Sequence, residues 1–393
     1  MANELKIGVI TASELIQNFG SPLYVYDAGI ISQQYQKLRD SFNHSPTKIY
    51  YACKTNTNVE ILKLLKSLGT GAETVSQGEI EIALEAGFPI EDIIFTCSNI
   101  GHDEIRFVAE SGVMINFDSL GQIEKYGKVK PGSEVSLRLN LDLGAGGHSH
   151  LVTGGAKSKF GIHHTQIDDA KLIAQKYNLK IIGLHQHIGS NILDEKIFIQ
   201  AMNTLLATAK DFSNLKFLDF GGGFGVPYHP DEQALDIATL GQNLSEIFSN
   251  FCKDYGTQLQ MRFEPGRYLV AESGTLLTTV TDIKTTPGHK FIGLDTGMNH
   301  LIRPAMYGSF HQIVNATNLD APLATLTVGG NICESGDILA EDRILPSFEE
   351  GDIAAIKTVG AHGYVMASNY NSRLRPAEVI IENGMPRLIR ERI

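Results

Sequence analysis

Between residues 48 and 267 the chain alternates short apolar runs with longer stretches whose apolar residues return every three or four positions. That is the pattern of strand-then-helix repetition in a parallel sheet. The runs KIYYAC, GAETVS, DIIFTC, MINFDS, VSLRLN, IGLHQHIG, FLDFGGG and MRFEPGR supply eight strands. Between them, VEILKLLKSL, GEIEIALEAG, DEIRFVAES, DDAKLIAQKY and IFIQAMNTLLATAKDF have the periodicity of covering helices. Eight such units within roughly 220 residues predict a closed (β/α)8 barrel rather than an open doubly wound sheet. After residue 275 the character changes, and TTVTDIK, KFIGLDTG, APLATLTV, GDIAAIKTVG and AEVIIENG are strand-like runs broken by Gly, Pro and Asn. The opening segment, with LKIGVI and PLYVYD, also reads as extended up to Asp27 and could pair with those runs, ahead of a helical ISQQYQKLRDSF. The expected fold class is therefore α/β. A TIM-type barrel over residues 28–275 is joined by an all-β, sandwich- or barrel-like domain made of residues 1–27 and 276–393.

Length and composition agree with two domains. A chain of 393 residues exceeds what one core usually supports, and 42% hydrophobic with 20% charged residues is a soluble globular balance. The formal charge of -11 argues against nucleic acid, which needs clustered cations, and leaves a small molecule as the expected partner. Cys53, Cys97, Cys252 and Cys333 are too scattered for a disulfide framework or a metal finger, so a reducing, cytoplasmic setting is expected. No basic leader and no run of about 18 apolar residues is present, so neither export nor membrane insertion is expected.

Chemistry on such a barrel sits at the C-terminal ends of its strands. Lys54 directly follows IYYAC, where a confined amine could form a Schiff base with a carbonyl; the plain alternative is a lysine capping a strand. Gly221, Gly222, Gly223 and Gly225 follow the seventh strand and could let backbone N–H groups approach a phosphate, or simply make a tight turn. The run matches neither a dinucleotide fingerprint nor a P-loop. Glu264, in FEPGR, could hold a protonated ring nitrogen, or pair with Arg267. His187 could stack on an aromatic cofactor or be a core histidine. In the β-rich part, Cys333 could donate a proton or be a small packed thiol, and Tyr370 could reach a phosphate or substrate or pack at a turn. Arg303, four residues before Tyr307, could bind a substrate carboxylate or make a surface salt bridge.

Taken together, YYACKTN, GLHQHIGS, FLDFGGGFG, EPGR, RPAMYG, CESGD and SNYNSRLRPAEV resemble, in order and across nearly the whole chain, the motif set of the diaminopimelate decarboxylases. These are pyridoxal-phosphate enzymes on an alanine-racemase-like barrel. The resemblance implies that Lys54 carries pyridoxal 5'-phosphate covalently, that His187 stacks on its ring and that Glu264 partners the ring nitrogen. It implies a phosphate cradle of Gly222, Gly223, Phe224 and Gly225, with Ser190, Gly266, Arg267 and Tyr370 assisting. Arg267, Arg303, Tyr307, Glu334 and Tyr370 match substrate-binding positions, and Cys333 the proton donor. Cys333 and Glu334 would come from the partner subunit, so a homodimer with shared active sites is implied. The implied reaction turns meso-2,6-diaminopimelate into L-lysine and carbon dioxide, the last step of lysine biosynthesis, with no metal. The rival readings are a decarboxylase of D-ornithine, D-lysine or a carrier-bound amino acid, and a non-catalytic regulatory homologue. Two features depart from the motif set: His362 stands where tyrosine is commoner, and LGAGGHSHLVTGGAKSKFG is rich in glycine and histidine, more in keeping with a flexible loop than with a metal site.

Overall fold

The computed structural model describes residues 3–144, 155 and 158–393, so the GGHSH stretch lies outside the described residues. Two compact units form. One comprises residues 34–226 and 233–268, the other residues 1–33, 227–232 and 269–393.

In the first unit eight parallel strands close on themselves. They are β1 Thr47–Ala52, β2 Gly71–Thr74, β3 Ile93–Thr96, β4 Met114–Phe117, β5 Glu134–Asn140, β6 Lys180–His185, β7 Phe217–Asp219 and β8 Gln260–Phe263. Pairing runs in sequence order, β8 pairs with β1, and β5 pairs with β6 to complete the ring. The eight strands are the eight predicted runs. Helices follow the strands, and Val59–Leu68 begins at an Asn58 side chain that accepts from Glu60 N and ends at Gly69 in the left-handed conformation. The helices Leu120–Val129 and Ile237–Tyr255 complete the coat.

Alternate strand residues share a face. One face carries Tyr51, Phe95, Ile115, Leu137, Leu184, Leu218 and Phe263, all buried, which is the apolar surface that the helices cover. The other face fills the barrel. There the bulk comes from Tyr50, Phe217 and Arg262, whose guanidinium lies 3.5 Å from the Phe217 ring centroid and 5.3 Å from that of Tyr50. Each aromatic sits opposite a glycine: Tyr50 pairs with Gly71 and Phe217 with Gly183. A Cβ on Gly71 would fall 2.3 Å from the Tyr50 ring and one on Gly183 2.1 Å from the Phe217 ring. The glycines make room for a packed floor beneath the strands' C-terminal ends.

The second unit is mostly sheet. Its strands lie in the order Ile338–Pro346, Leu323–Gly329, His289–Leu294, Gly274–Thr286, Leu23–Asp27, Ala377–Glu382 and Met385–Arg390. Ile353–Lys357 joins Gly274–Thr286 to Ile313–Asn315. The PLYVYD run does pair with the C-terminal strands, on both edges. One expectation is corrected: residues 12–19 are not extended but form the helix Ala12–Phe19. Thr11 caps it and Glu14 returns the bond to Thr11 N, while Ala12 and Leu15 pack into a core with Leu23, Val25, Leu277 and Val379. Among the described residues no helix is long and apolar enough to cross a membrane.

Gly183→Ala is expected to destabilise the protein by about 1–3 kcal/mol, because the added carbon must push the Phe217 ring against Arg262. Thermal denaturation of Gly183→Ala, Phe217→Ala and the double variant checks this, and the double variant should lose less than the sum of the single losses.

Candidate active site

At the C-terminal end of β1 the chain enters a single turn, Cys53–Thr55, that carries Lys54. Lys54 Nζ donates to Glu73 Oε2 at 2.6 Å, and the Glu73 side chain, on β2, is 1% exposed. Burial pulls the Lys54 ammonium down, but the Glu73, Glu264 and Glu79 carboxylates outweigh it and leave its pKa above the usual lysine value. Across the barrel mouth β6, β7 and β8 deliver His185, Asp219 and Glu264, all almost fully buried. His185 Nε2 donates to Glu264 Oε2 at 3.0 Å. Burial holds the His185 pKa down to about 4, so the ring is neutral, and facing a carboxylate oxygen Nε2 is the nitrogen that donates. Asp219 Oδ1 accepts from Gly221 N at 2.9 Å. Asp219 Oδ2 and Glu264 Oε1 are buried without a hydrogen-bond donor.

The glycine run after β7 folds between two neighbouring loops. Gly221 and Gly223 have φ of +66° and +106°. A Cβ on Gly222 would sit 2.3 Å from the Glu264 carbonyl oxygen, and one on Gly223 2.8 Å from that of Gly189. Ile192 N donates to Gly223 O at 2.9 Å and Gly225 N to Ile192 O at 3.0 Å, while Gly222 N donates to His187 Nδ1 at 3.1 Å. The amides of Gly223 and Phe224 have no acceptor among the described residues. Phe224 offers only that backbone, since its ring packs away on Phe198 with centroids 4.9 Å apart. Arg267 Nη2 donates to Ser190 Oγ at 3.3 Å. Gly266 is needed beside Lys54, because a Cβ there would lie 2.0 Å from Thr55 Oγ1. His187 is half-buried, and burial with Lys54 and Arg138 nearby keeps it neutral.

The remaining sequence candidates belong to the second unit. Arg303 is buried, donates to Ser309 Oγ at 3.3 Å and lies 5.5 Å from the Tyr307 ring centroid. Cys333 and Glu334 are exposed in the loop between Leu323–Gly329 and Ile338–Pro346, where Cys333 N donates to Asn371 Oδ1 at 2.7 Å, next to Tyr370. Asp337 braces that loop by accepting from Ile332 N and Met298 N. His362 adopts a φ of +55°.

Glu73, Arg138, His185 and Asp219 were not singled out from the sequence. Their signal was an ionisable residue near the C-terminal end of an otherwise apolar run. A groove of about 850 Å³ lined by Glu134, Lys171, Lys180, Asp211 and Lys216 lies at the opposite, N-terminal ends of β5, β6 and β7, away from these groups. Asp142 Oδ2 accepts from His163 Nε2 and His164 Nε2, each at 3.0 Å. An amine, an orphaned buried carboxylate oxygen, a neutral imidazole and two unfilled backbone donors on one barrel rim fit a flat, phosphate-bearing aldehyde whose ring nitrogen is protonated.

A family profile described as "Pyridoxal-dependent decarboxylase, pyridoxal binding domain" matches residues 28–271. The chain is similar to diaminopimelate decarboxylase of Methanothermobacter thermautotrophicus, at 42% identity over 99% of this chain and 93% of the relative. It is similar to that of Escherichia coli K12 at 36% identity over 98% and 94% of the two chains. The crystal structure of diaminopimelate decarboxylase from Helicobacter pylori complexed with L-lysine matches with a TM-score of 0.90 and 34% identity, covering 97% of this chain and 96% of the other.

Because Glu73 raises the proton affinity of Lys54, Glu73→Gln should lower it. Labelling of Lys54 by trinitrobenzenesulfonate against pH, read by peptide mass, should move to lower pH in that variant.

Proposed function

The chain belongs to the pyridoxal-dependent decarboxylases, and on that premise we propose that it uses pyridoxal 5'-phosphate to convert meso-2,6-diaminopimelate into L-lysine and carbon dioxide. The observation that carries this reading is that one rim holds both the Lys54 amine, bound to Glu73, and the donorless Oε1 of buried Glu264. When bound, pyridoxal phosphate supplies a protonated pyridine ring that takes up the electron pair left by departing carbon dioxide.

The protein's own residues do the rest. Lys54 supplies the amine that attaches the cofactor, and Glu73 holds that amine in place at 2.6 Å. Glu264 would offer Oε1 to the ring nitrogen, and His187, kept neutral, would stand beside the ring without competing for its charge. The Gly223 and Phe224 amides, the Gly222–Gly225 turn, Ser190, Gly266, Arg267 and Tyr370 take the phosphate. Arg267, Arg303 and Tyr307 bind the carboxylate at the far end of the substrate, Glu334 its ammonium. The Cys333 thiol returns a proton to the carbon that has lost its carboxylate. Lysine and ornithine lack that second carboxylate, the group an arginine fork grips best, so the dicarboxylate is preferred. Cys333 and Glu334 act from a second copy of the chain, so the working form is a homodimer with shared sites. Four free cysteines accord with cytoplasmic residence.

Lysine formation from meso-diaminopimelate, with and without added pyridoxal phosphate and beside D-ornithine, D-lysine and a carrier-bound amino acid, tests the reading. Carbon dioxide should leave fastest from the first, with lysine as the product, and its release should depend on the cofactor; faster release of carbon dioxide from another substrate would replace this assignment. Lys54→Ala should abolish both turnover and the protein's yellow absorbance. Cys333→Ala should stay yellow while turnover falls by about 10²–10⁴-fold.

A further inference from the structure

We propose that Asp219 and Glu264 act as a carboxyl pair that holds one proton in the cofactor-free protein and passes it to the ring nitrogen when pyridoxal phosphate binds, with His185 as the positioning residue that aligns the pair. This inference rests on the cofactor assignment above and assigns work to two residues outside the predicted site.

The geometry makes the case. Ligand atoms of His185, Asp219 and Glu264 lie within 4.8 Å of one another, and all three residues are buried. Two like charges that close and that dry cannot both persist without compensation. One oxygen of each acid is engaged, Asp219 Oδ1 by Gly221 N and Glu264 Oε2 by His185 Nε2. The other two, Oδ2 and Oε1, have no donor. A proton held by the pair relieves the repulsion. Facing groups do not remove it: Lys54 follows β1, Arg138 is on β5, His185 and His187 end β6 and Arg262 is on β8, but Glu73 on β2 adds a further carboxylate. Burial first, and then the neighbouring Glu264 carboxylate, push Asp219 up to about 7, while burial and Glu73 raise Glu264.

The proton balance closes. Before binding, the pair carries one proton and one negative charge. After binding, both acids are carboxylates and the ring nitrogen carries the proton, so the net charge of acids and ring is unchanged. No proton has to come from solvent for the ring. His185, neutral, fixes Oε2 and leaves Oε1 to meet the ring.

Apo protein stripped of cofactor, and its Asp219→Asn and Glu264→Gln variants, would be titrated with pyridoxal phosphate at pH 7.5. Infrared difference spectra would follow protonated carboxyl groups, and calorimetry in buffers of different ionisation enthalpy would count protons taken up. Wild type should lose a protonated-carboxyl band on binding without taking up a proton, and Glu264→Gln, which lacks the ring-facing oxygen, should keep its band. In Asp219→Asn the burial and Glu73 that raise Glu264 remain, so its band should persist before binding but shift in position, because the Glu264 carboxyl no longer faces a carboxylate. A wild-type spectrum with no such band, or a band at the same position in wild type and Asp219→Asn, overturns the inference, and so does one equivalent of tightly held zinc in the apo protein. The infrared result on wild type stands even where a variant does not fold. Visible absorbance on adding the cofactor separates the two levels: if it appears without the proton signals, only this inference fails, and if it never appears, the cofactor assignment falls with it.

Discussion

The mouth of the barrel is organised around withdrawing carboxylates from water. Glu73, Asp219 and Glu264 are each no more than 5% exposed. An uncompensated buried carboxylate costs several kcal/mol, so each needs a cation, a donor or a proton. Glu73 takes Lys54, Glu264 takes the His185 N–H and Asp219 takes the Gly221 amide. That arrangement explains why the Lys54 amine is held against Glu73. It also explains why the glycine turn, whose first amide is spent on Asp219, keeps later amides free for an anion.

This polar ring can exist only because the barrel beneath it is closed. Tyr50, Phe217 and Arg262 plug the interior, and Gly71 and Gly183 supply the space for the two aromatic rings. Closure keeps water from reaching the carboxylates from below and strengthens every charge interaction above. The division of labour along a single strand is visible in β7, where Phe217 belongs to the floor and Asp219, two residues on and on the same face, to the polar rim.

The eight strands were legible because parallel barrel strands are buried on both faces and read as short apolar runs. The helix Ala12–Phe19 was missed although TASE carries its capping box, because the neighbouring LKIGVI and PLYVYD runs drew the whole segment into an extended reading. Lys54, His187, Glu264 and the glycine run stood out because each sits in an unusual local string. His185 and Asp219 did not, since a single histidine or aspartate at the end of an apolar run looks like any satisfied core polar residue. Only the pairing of β6 with β7 and β7 with β8, a long-range fact, brings them against Glu264. The same holds for Glu73, whose role depends on β1 lying beside β2. Phe224 offers the rim only its backbone, since its ring packs on Phe198.

The choice of histidine behind Glu264 follows from the charge that Glu264 must keep available. A lysine or arginine in that position would pin the carboxylate in its ionised form and spend its charge on the protein. A hydroxyl could turn its proton elsewhere and leave Oε2 unguided. A neutral imidazole does neither: its buried Nε2–H fixes one oxygen at 3.0 Å while adding no positive charge. Once the pair has given up its proton, Glu264 thereby meets a cation at Oε1 with a charge that no cation behind Oε2 has already spent. In a site where Lys54 and Arg138 already supply two positive charges, a third behind Glu264 would weaken its hold on a ring nitrogen's proton, which is the interaction that makes the ring an electron sink.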